Sequence, residues 1–299
     1  MANQSIGAIT LSNIDDYRKA IGLALTFKMH HRGIPISVIC SEKLGKILSH
    51  YFDSIVIERN DISGFAHKLY LDTYTPYKET IFLDADMIVF RSFMEIHKKW
   101  SKYPYAAQGK YTTEGVSSFG LDTEFVLNKI GKTCLTDISG AGHAYFKLPD
   151  SITLFETARN IMEDYDSYGD NKRFADEDVM NIAMTLHDIP PQTFPEFMGM
   201  PCHAKKGTLQ IDVIKKQCRY YDEVIGWKEP YVMHFARRQF PFLYAKELTK
   251  LYRKESVNIG IFQLWAEAFK NKIKTDFLWY LKTNVKKAFL SKRVSLGKI

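Results

Sequence analysis

The chain has 299 residues, of which 45% are hydrophobic and 25% charged, and it carries a net charge of +7. That length suits one large α/β domain with an appendage, or two small domains, and the balance excludes disordered, collagen-like and coiled-coil proteins. The charge is uneven: Lys270–Ile299 holds nine basic residues and one acid, while the preceding residues hold 32 basic and 33 acidic ones, so the basic character belongs to the tail.

The four cysteines, Cys40, Cys134, Cys202 and Cys218, form no CxxC pair. This favours reduced thiols and a cytoplasmic location over a disulfide framework or a zinc knuckle. MANQSIGAITLS has no basic region followed by a long apolar core, so no secretory signal is expected. No stretch approaches the roughly 18–20 apolar residues of a membrane span.

Along the chain, Ala8–Leu11 reads as a short strand, with Asn13 or Asp15 capping a helix that runs to about His31. Gly33 and Pro35 break that helix. Ile36–Cys40, Ser54–Glu58 and Thr80–Leu83 read as further strands, alternating with helices at Glu42–Ser49 and Gly64–Tyr74. Such alternation means βαβ units, a largely parallel sheet, and ligand binding beyond the carboxyl ends of the strands. Tyr103–Asn128 suggests irregular, substrate-facing loops. Ile152–Tyr165 and Asp176–Leu186 read as helices, Thr208–Tyr221 has no clear type, and Glu247–Lys287 looks helical with a break near Gly260.

The run Ile81–Phe90, IFLDADMIVF, carries the strongest chemical signal. It reads as a buried strand in which Asp84 and Asp86, with small Ala85 between them, point to one side. Two carboxylates held that close need a cation, and Mg²⁺ or Mn²⁺ suits their hard oxygens. Two later segments stand out: Ala175-Asp176-Glu177-Asp178 opening a helix, and Tyr231-Val232-Met233-His234-Phe235, followed by Arg237 and Arg238.

Together these segments resemble the glycogenin-like family 8 glycosyltransferases, retaining enzymes of the GT-A fold in the nucleotide-diphospho-sugar transferase superfamily. TLSNIDDY (Thr10–Tyr17) resembles the family's uridine-holding loop, His67-Lys68-Leu69 its lysine-bearing helix, and LDADMIVF its metal strand. The segment ADEDVMN is similar to one in which the family writes Asp-Gln where this chain has Asp176-Glu177. Met233-His234-Phe235 is similar to the segment that supplies a third metal ligand. The resemblance implies a metal site of Asp84, Asp86 and His234, and a donor site of Leu11, Ser12, Asn13, Tyr17, Lys68, Ala85 and Arg237. It assigns Asp176 and Glu177 to the transferred sugar, with a UDP-sugar as donor and Mn²⁺ or Mg²⁺ as cofactor. Two departures are visible: a charged Glu177 for a neutral amide, and Ala236-Arg237-Arg238-Gln239-Phe240-Pro241 where the family reads Gly-x-x-Lys-Pro.

Plainer readings stand beside these. Lys68 is also readable as a solvated helix residue, His234 as a satisfied core histidine, and Asp176–Asp178 as acids complementing a helix N-terminus. Cys202-His203 and His30-His31 carry no assigned chemistry. The expected architecture is a GT-A domain over residues 1–245 and a basic helical C-terminal appendage over 246–299. In that appendage Phe277, Leu278, Leu281, Val285 and Phe289 share a helical face, readable as packing on the body or as lying on an anionic membrane. The expected function is metal-dependent transfer of a hexose to a glycan or lipid-linked acceptor, by a cytoplasmic protein at the inner membrane face. The rivals are a haloacid-dehalogenase-type phosphatase, an inactive UDP-sugar-binding protein, and a glycosyltransferase of nucleic acid, which the same tail would attract.

Overall fold

The computed structural model describes residues 5–138, 142–169, 174–194, 196–236 and 240–275. Arg237, Arg238, residues 139–141 and the tail from residue 276 onward lie outside the described residues.

The first half is built as the alternation of apolar runs and breakers implies. β1 (Ile6–Leu11), β2 (Ile36–Cys40), β3 (Ser54–Ile57) and β4 (Glu79–Leu83) lie parallel in the order β3-β2-β1-β4. Two more strands extend the β4 edge: β9 (His143–Lys147) runs antiparallel to β4, and β6 (Tyr105–Ala106) pairs antiparallel with β9. The sheet is thus mixed at that edge. Strands β1, β2 and β4 carry apolar side chains on both faces because helices cover both, as expected of a parallel sheet. Ala8, Val38, Ile81 and Leu83 enter one core with α1 (Tyr17–His30), α2 (Glu42–Leu48) and α8 (Pro241–Lys254). Ile9, Ile39 and Phe82 enter the other with α5 (Thr123–Ile130), α6 (Ile152–Glu163) and α7 (Asp176–Leu186). At Gly7 the backbone approaches the Tyr77 ring so closely that a Cβ would sit 2.4 Å from it, which only glycine permits.

The remaining elements are short. Between β4 and β6 come β5 (Met87–Val89) and α4 (Met94–Trp100), and β7 (Gly109–Thr112) pairs with β8 (Leu135–Ile138). A small sheet joins β10 (Met198–Gly199), β14 (Val232–His234) and β5, in that order. The stretch Thr208–Tyr221 contains β11 (Gln210–Asp212) and most of β12 (Gln217–Asp222), which pair antiparallel and are followed by β13 (Gly226–Lys228). Gly64–Tyr74 is a 3₁₀ helix over Gly64–Tyr70 running into the single α-turn α3 (Leu71–Tyr74), rather than one α-helix. The region 103–128 contains β6, β7 and most of α5, so it is only partly irregular. α8 runs through residue 245 with Tyr244, Ala245, Leu248, Leu251 and Tyr252 buried in the same core as α1. A further helix occupies residues 261–275 after a break that includes Gly260. Among the described residues, no helix is long and apolar enough to cross a membrane.

One buried polar contact ties the first helix to the strand that follows the paired carboxylates. Thr26 Oγ1 donates to the Gly22 carbonyl at 2.9 Å and accepts the Val89 N–H of β5 at 3.2 Å. Replacing the hydroxyl with a methyl leaves that buried N–H unpaired. Thr26→Val is therefore expected to lower unfolding free energy by about 1–3 kcal/mol, read from the urea midpoint at unchanged m-value.

Candidate active site

The run Ile81–Phe90 is not one strand. β4 ends at Leu83, residues 84–86 form a turn, and β5 continues in the small sheet. Asp84 N–H donates to the Gly142 carbonyl at 2.7 Å, and Met87 N–H donates to the Asp84 carbonyl at 3.2 Å, which fixes the turn. The carboxylates therefore converge through a bend between two sheets, and not through the alternation of an extended strand. The second sheet brings the histidine: β14 pairs antiparallel with β5, placing His234 opposite Met87, and Phe235 N–H donates to the Asp86 carbonyl at 3.1 Å.

The result is a cluster of two carboxylates and an imidazole. His234 Nε2 lies 3.0 Å from Asp86 Oδ1 and 3.8 Å from Asp84 Oδ2, and one ligand atom from each residue falls within 4.8 Å of the others. Adjacent ligands on an octahedral Mg²⁺-sized ion, with bonds of about 2.1 Å, lie about 3 Å apart, so small side-chain rotations would close these three on one cation. Gly142 supports the fit. A Cβ there would lie 2.8 Å from His234 Cε1 and 3.1 Å from Asp84 Oδ2, so only glycine leaves the triad its room. Burial alone would lower the His234 pKa, but the hydrogen bond and charge of Asp86 outweigh it and the pKa is raised. For Asp86, desolvation pushes upward and the His234 contact overcomes it, so the carboxyl is held below its usual value. Both shifts have one cause, the contact between imidazole and carboxylate, which favours the charged form of each.

Lys68 belongs to this cluster and not to the solvent. Its Nζ lies 2.9 Å from Asp84 Oδ1 and 3.5 Å from Asp176 Oδ2. Desolvation alone would lower its pKa, but Asp84 and then Asp176 reverse the sign and keep it charged. The 3₁₀ helix bearing Lys68 is anchored from behind, since Arg159 of α6 donates to the Leu69 carbonyl at 3.0 Å and pairs with Asp72 at 2.8 Å.

The acids opening α7 divide into three environments. Asp176 is buried, and its carboxyl is raised chiefly by desolvation, with Lys68 pulling the other way. Glu177 is partly exposed. Asp178 is fully buried and accepts from Ser117 Oγ at 3.1 Å and Tyr165 Oη at 3.0 Å, a structural role. The helix-terminus reading accounts for their position in the first turn of α7, but not for the burial of two of them.

A cleft of about 340 Å³ opens beside the cluster, lined by Leu11, Ser12, Asn13, Asp16, Lys19, Phe65, Lys68, Asp84, Ala85 and Asp86, among others. The β1–α1 loop that forms one wall braces itself. Asp16 accepts from Ser12 Oγ at 3.1 Å, Asn13 N–H at 2.8 Å and Asn13 Nδ2 at 3.2 Å, and Asn13 Oδ1 accepts Asp15 N–H at 2.8 Å. The helix cap position falls on Asp16, one residue beyond Asp15, and its carboxylate turns back into the loop instead of capping α1. Burial pushes the Asp16 pKa up to about 6.

Of the residues the sequence singles out, Leu11, Ser12, Asn13, Lys68, Asp84, Ala85 and Asp86 line this cleft, and His234 and Asp176 adjoin it through Asp86 and Lys68. Tyr17 is not among the lining residues; it is half-buried against the α1 core, with the Arg18 guanidinium 4.5 Å over its ring. The exposed aromatic in the cleft is Phe65, at 51% exposure. Phe65, Asp16 and Lys19 carry no signal of their own in the sequence. The spacings were legible, Asp16 three residues from Asn13 and Phe65 three from Lys68, but nothing in them distinguishes a cleft wall from a solvated turn.

No protein-family description matches the chain, and no curated protein matches it in sequence. Solved structures do match in fold. Galactosyltransferase LgtC in complex with donor and acceptor sugar analogues superposes with a TM-score of 0.56 at 16% identity, over 83% of this chain and 95% of LgtC. The bifunctional glycosyltransferase WbbM gives 0.54 at 12% identity over 89% of this chain, which spans about half of WbbM (52%). Mouse xyloside xylosyltransferase 1 gives 0.50 at 10% identity over 78% of this chain and 98% of its own. Identities this low speak for architecture alone: a central, mostly parallel sheet between helices. The chain has the GT-A fold of these glycosyltransferases.

Proposed function

We propose that the protein is a metal-dependent glycosyltransferase of the family 8 type, moving a hexose from a UDP-sugar to a glycan or lipid-linked acceptor, with retention at the anomeric carbon. The observation that carries this reading is the convergence of Asp84, Asp86, His234 and Lys68 at one cleft of a GT-A fold. Retention, UDP and the hexose come from the family resemblance, and the acceptor class comes from the basic tail.

A divalent ion held by Asp84, Asp86 and His234 would supply Lewis-acid stabilisation of the departing diphosphate. The residues of the chain do the rest. Leu11, Ser12 and Asn13 form the wall that takes the base and ribose, with the Phe65 ring available for stacking. The Lys68 ammonium, held by Asp84 and Asp176, is preorganised to meet phosphate oxygens as charge builds on them. Asp176 and Glu177 would lie on the sugar side, receiving hydroxyl donors and opposing positive charge at the anomeric centre. Arg237 would add a guanidinium to the phosphates from outside the described residues. The phosphatase rival loses its footing, because the GT-A fold frames the two aspartates. In this reading Asp84 is tied up with Lys68 and is no free nucleophile.

A screen of UDP-sugars for Mn²⁺-dependent donor hydrolysis tests the proposal. The intact chain should turn over at least one donor, and Asp86→Asn should lose at least about 100-fold in kcat while keeping its circular dichroism. Equal turnover in both would remove the metal assignment, and tight UDP–Mn²⁺ binding without turnover would favour the inactive binder. Lys68→Met is expected to lower kcat by about 100–1,000-fold, with Lys68→Arg recovering part of it. The raised His234 pKa sets a pH dependence. Below that pKa a proton competes with the metal, so Mn²⁺ affinity should rise with pH and level off above it. Calorimetry between about pH 6 and about pH 8, in buffers of different ionisation enthalpy, should show proton release on binding at the lower pH. Pure affinity without proton release would show that His234 is not a ligand.

A further inference from the structure

We propose that Lys19 is a second diphosphate-binding cation of the cleft, meeting the phosphates of the donor directly. It stands on the Asp86 side of the paired carboxylates, as Lys68 stands on the Asp84 side. The inference rests on the glycosyltransferase reading and adds to it a residue that neither the motifs nor the family resemblance singles out. Lys19 lies in the first turn of α1, just after the loop that walls the cleft. It is half-buried and lines the cleft together with Asp84, Ala85 and Asp86. It also lines a small groove behind the cleft with Phe235, Tyr244 and Glu267, so its side chain stands beside the segment that carries His234.

Three acids feel the charge of Lys19, namely Asp16, Asp86 and Glu267, and each is already engaged. Asp16 accepts from Ser12 and Asn13 of its own loop, Asp86 faces His234 at 3.0 Å, and Glu267 pairs with Arg18. Among the described residues the Lys19 ammonium itself makes no ion pair and no hydrogen bond. Lys19 pulls the Asp86 carboxyl down more than Lys68 does, which sets it on that side of the pair. Two ammonium groups thus flank the carboxylates, one held by acids and one not.

A half-buried ammonium without a counter-charge has lost part of its hydration and gained no partner, a state that an arriving anion relieves. The proposed donor brings such an anion to this end of the cleft, where the two carboxylates and His234 converge. Lys68 is held by Asp84 and Asp176, so it is well positioned but partly neutralised. Lys19 carries no such restraint and offers its whole charge. An ammonium on a flexible stem is a point charge that can follow phosphate oxygens as charge builds on them. A nucleoside has no phosphate to offer and should not sense Lys19. A divalent cation should, if anything, be repelled by it.

The test is calorimetric titration of the full chain with UDP, uridine and inorganic pyrophosphate in the presence of Mn²⁺, and with Mn²⁺ alone. Lys19→Met is expected to weaken UDP and pyrophosphate binding by about ten- to 100-fold and to leave uridine unchanged, with Lys19→Arg recovering most of the loss. Mn²⁺ alone should bind Lys19→Met as tightly as the intact chain or more tightly, because a nearby positive charge is gone. Should Lys19→Met fail to fold, Lys19→Gln gives the same comparison. Unchanged UDP and pyrophosphate affinities in the variant overturn the proposal. So does a Mn²⁺ affinity that falls in step with them, which would make Lys19 a prop of the metal site. If the intact chain binds pyrophosphate but not UDP, the donor assignment fails and pyrophosphate still decides the role of Lys19. If it binds neither, both fall.

Discussion

Gathering negative charge where water is partly excluded is the constraint around which this molecule is organised. Asp84, Asp86 and Asp176 meet within reach of one another, where like charges repel and the loss of water is costly. Lys68 stands between two of them and His234 against the third, so cationic or proton-bearing groups face the acids before any ligand arrives. A cation that joined it would meet ligand groups already in place and would compete with a proton for the imidazole. This is preorganisation in the electrostatic sense: the protein bears the cost of assembling the site during folding, not during turnover.

The charges in that cluster come from four separate parts of the chain, which explains the shape of the fold around it. The turn between β4 and β5 supplies the paired carboxylates, β14 the imidazole, the 3₁₀ helix the ammonium, and the first turn of α7 the third acid. Splitting one apolar run across two sheets is the decisive device. It lets the main sheet deliver Asp84 at a strand end while the small sheet registers His234 opposite Met87. Supporting contacts keep these elements aligned: Thr26 to Val89, Arg159 to Leu69 and Asp72, and the Asp84 amide to Gly142. His143 follows Gly142 directly and is fully buried. Burial holds its pKa down to about 3, and its Nε2 accepts the Gln108 N–H, so it adds no second positive charge near His234.

Much of the architecture could be read from local pattern. The strands at 36–40 and 54–57 and the helix at 176–186 fall within a residue of the boundaries expected, because buried runs ended by Gly, Pro or acids leave few alternatives. Reading failed where neighbours decide. The DxD run looked like a single strand, since its composition is uniformly apolar on either side and only partners in two different sheets break it. Lys68 read more readily as a solvated lysine, because no local signal reports that Asp84 and Asp176 close over it. Tyr17 and Phe65 make the same point in reverse: the aromatic with a family resemblance packs on the core, and the one without it faces the cleft.

The sequence by itself determined the strand-and-helix alternation, the pair of acids that demand a cation, and the concentration of basic residues toward Lys270–Ile299, because each is a matter of residue type at short spacing. Tertiary structure alone decided which distant charges face one another, that His234 joins residues 150 positions earlier, and that the Lys19 ammonium is left without a partner among the described residues. Electrostatic energy and apolar burial depend on separation in space, and separation in space is what a linear order of residues does not contain.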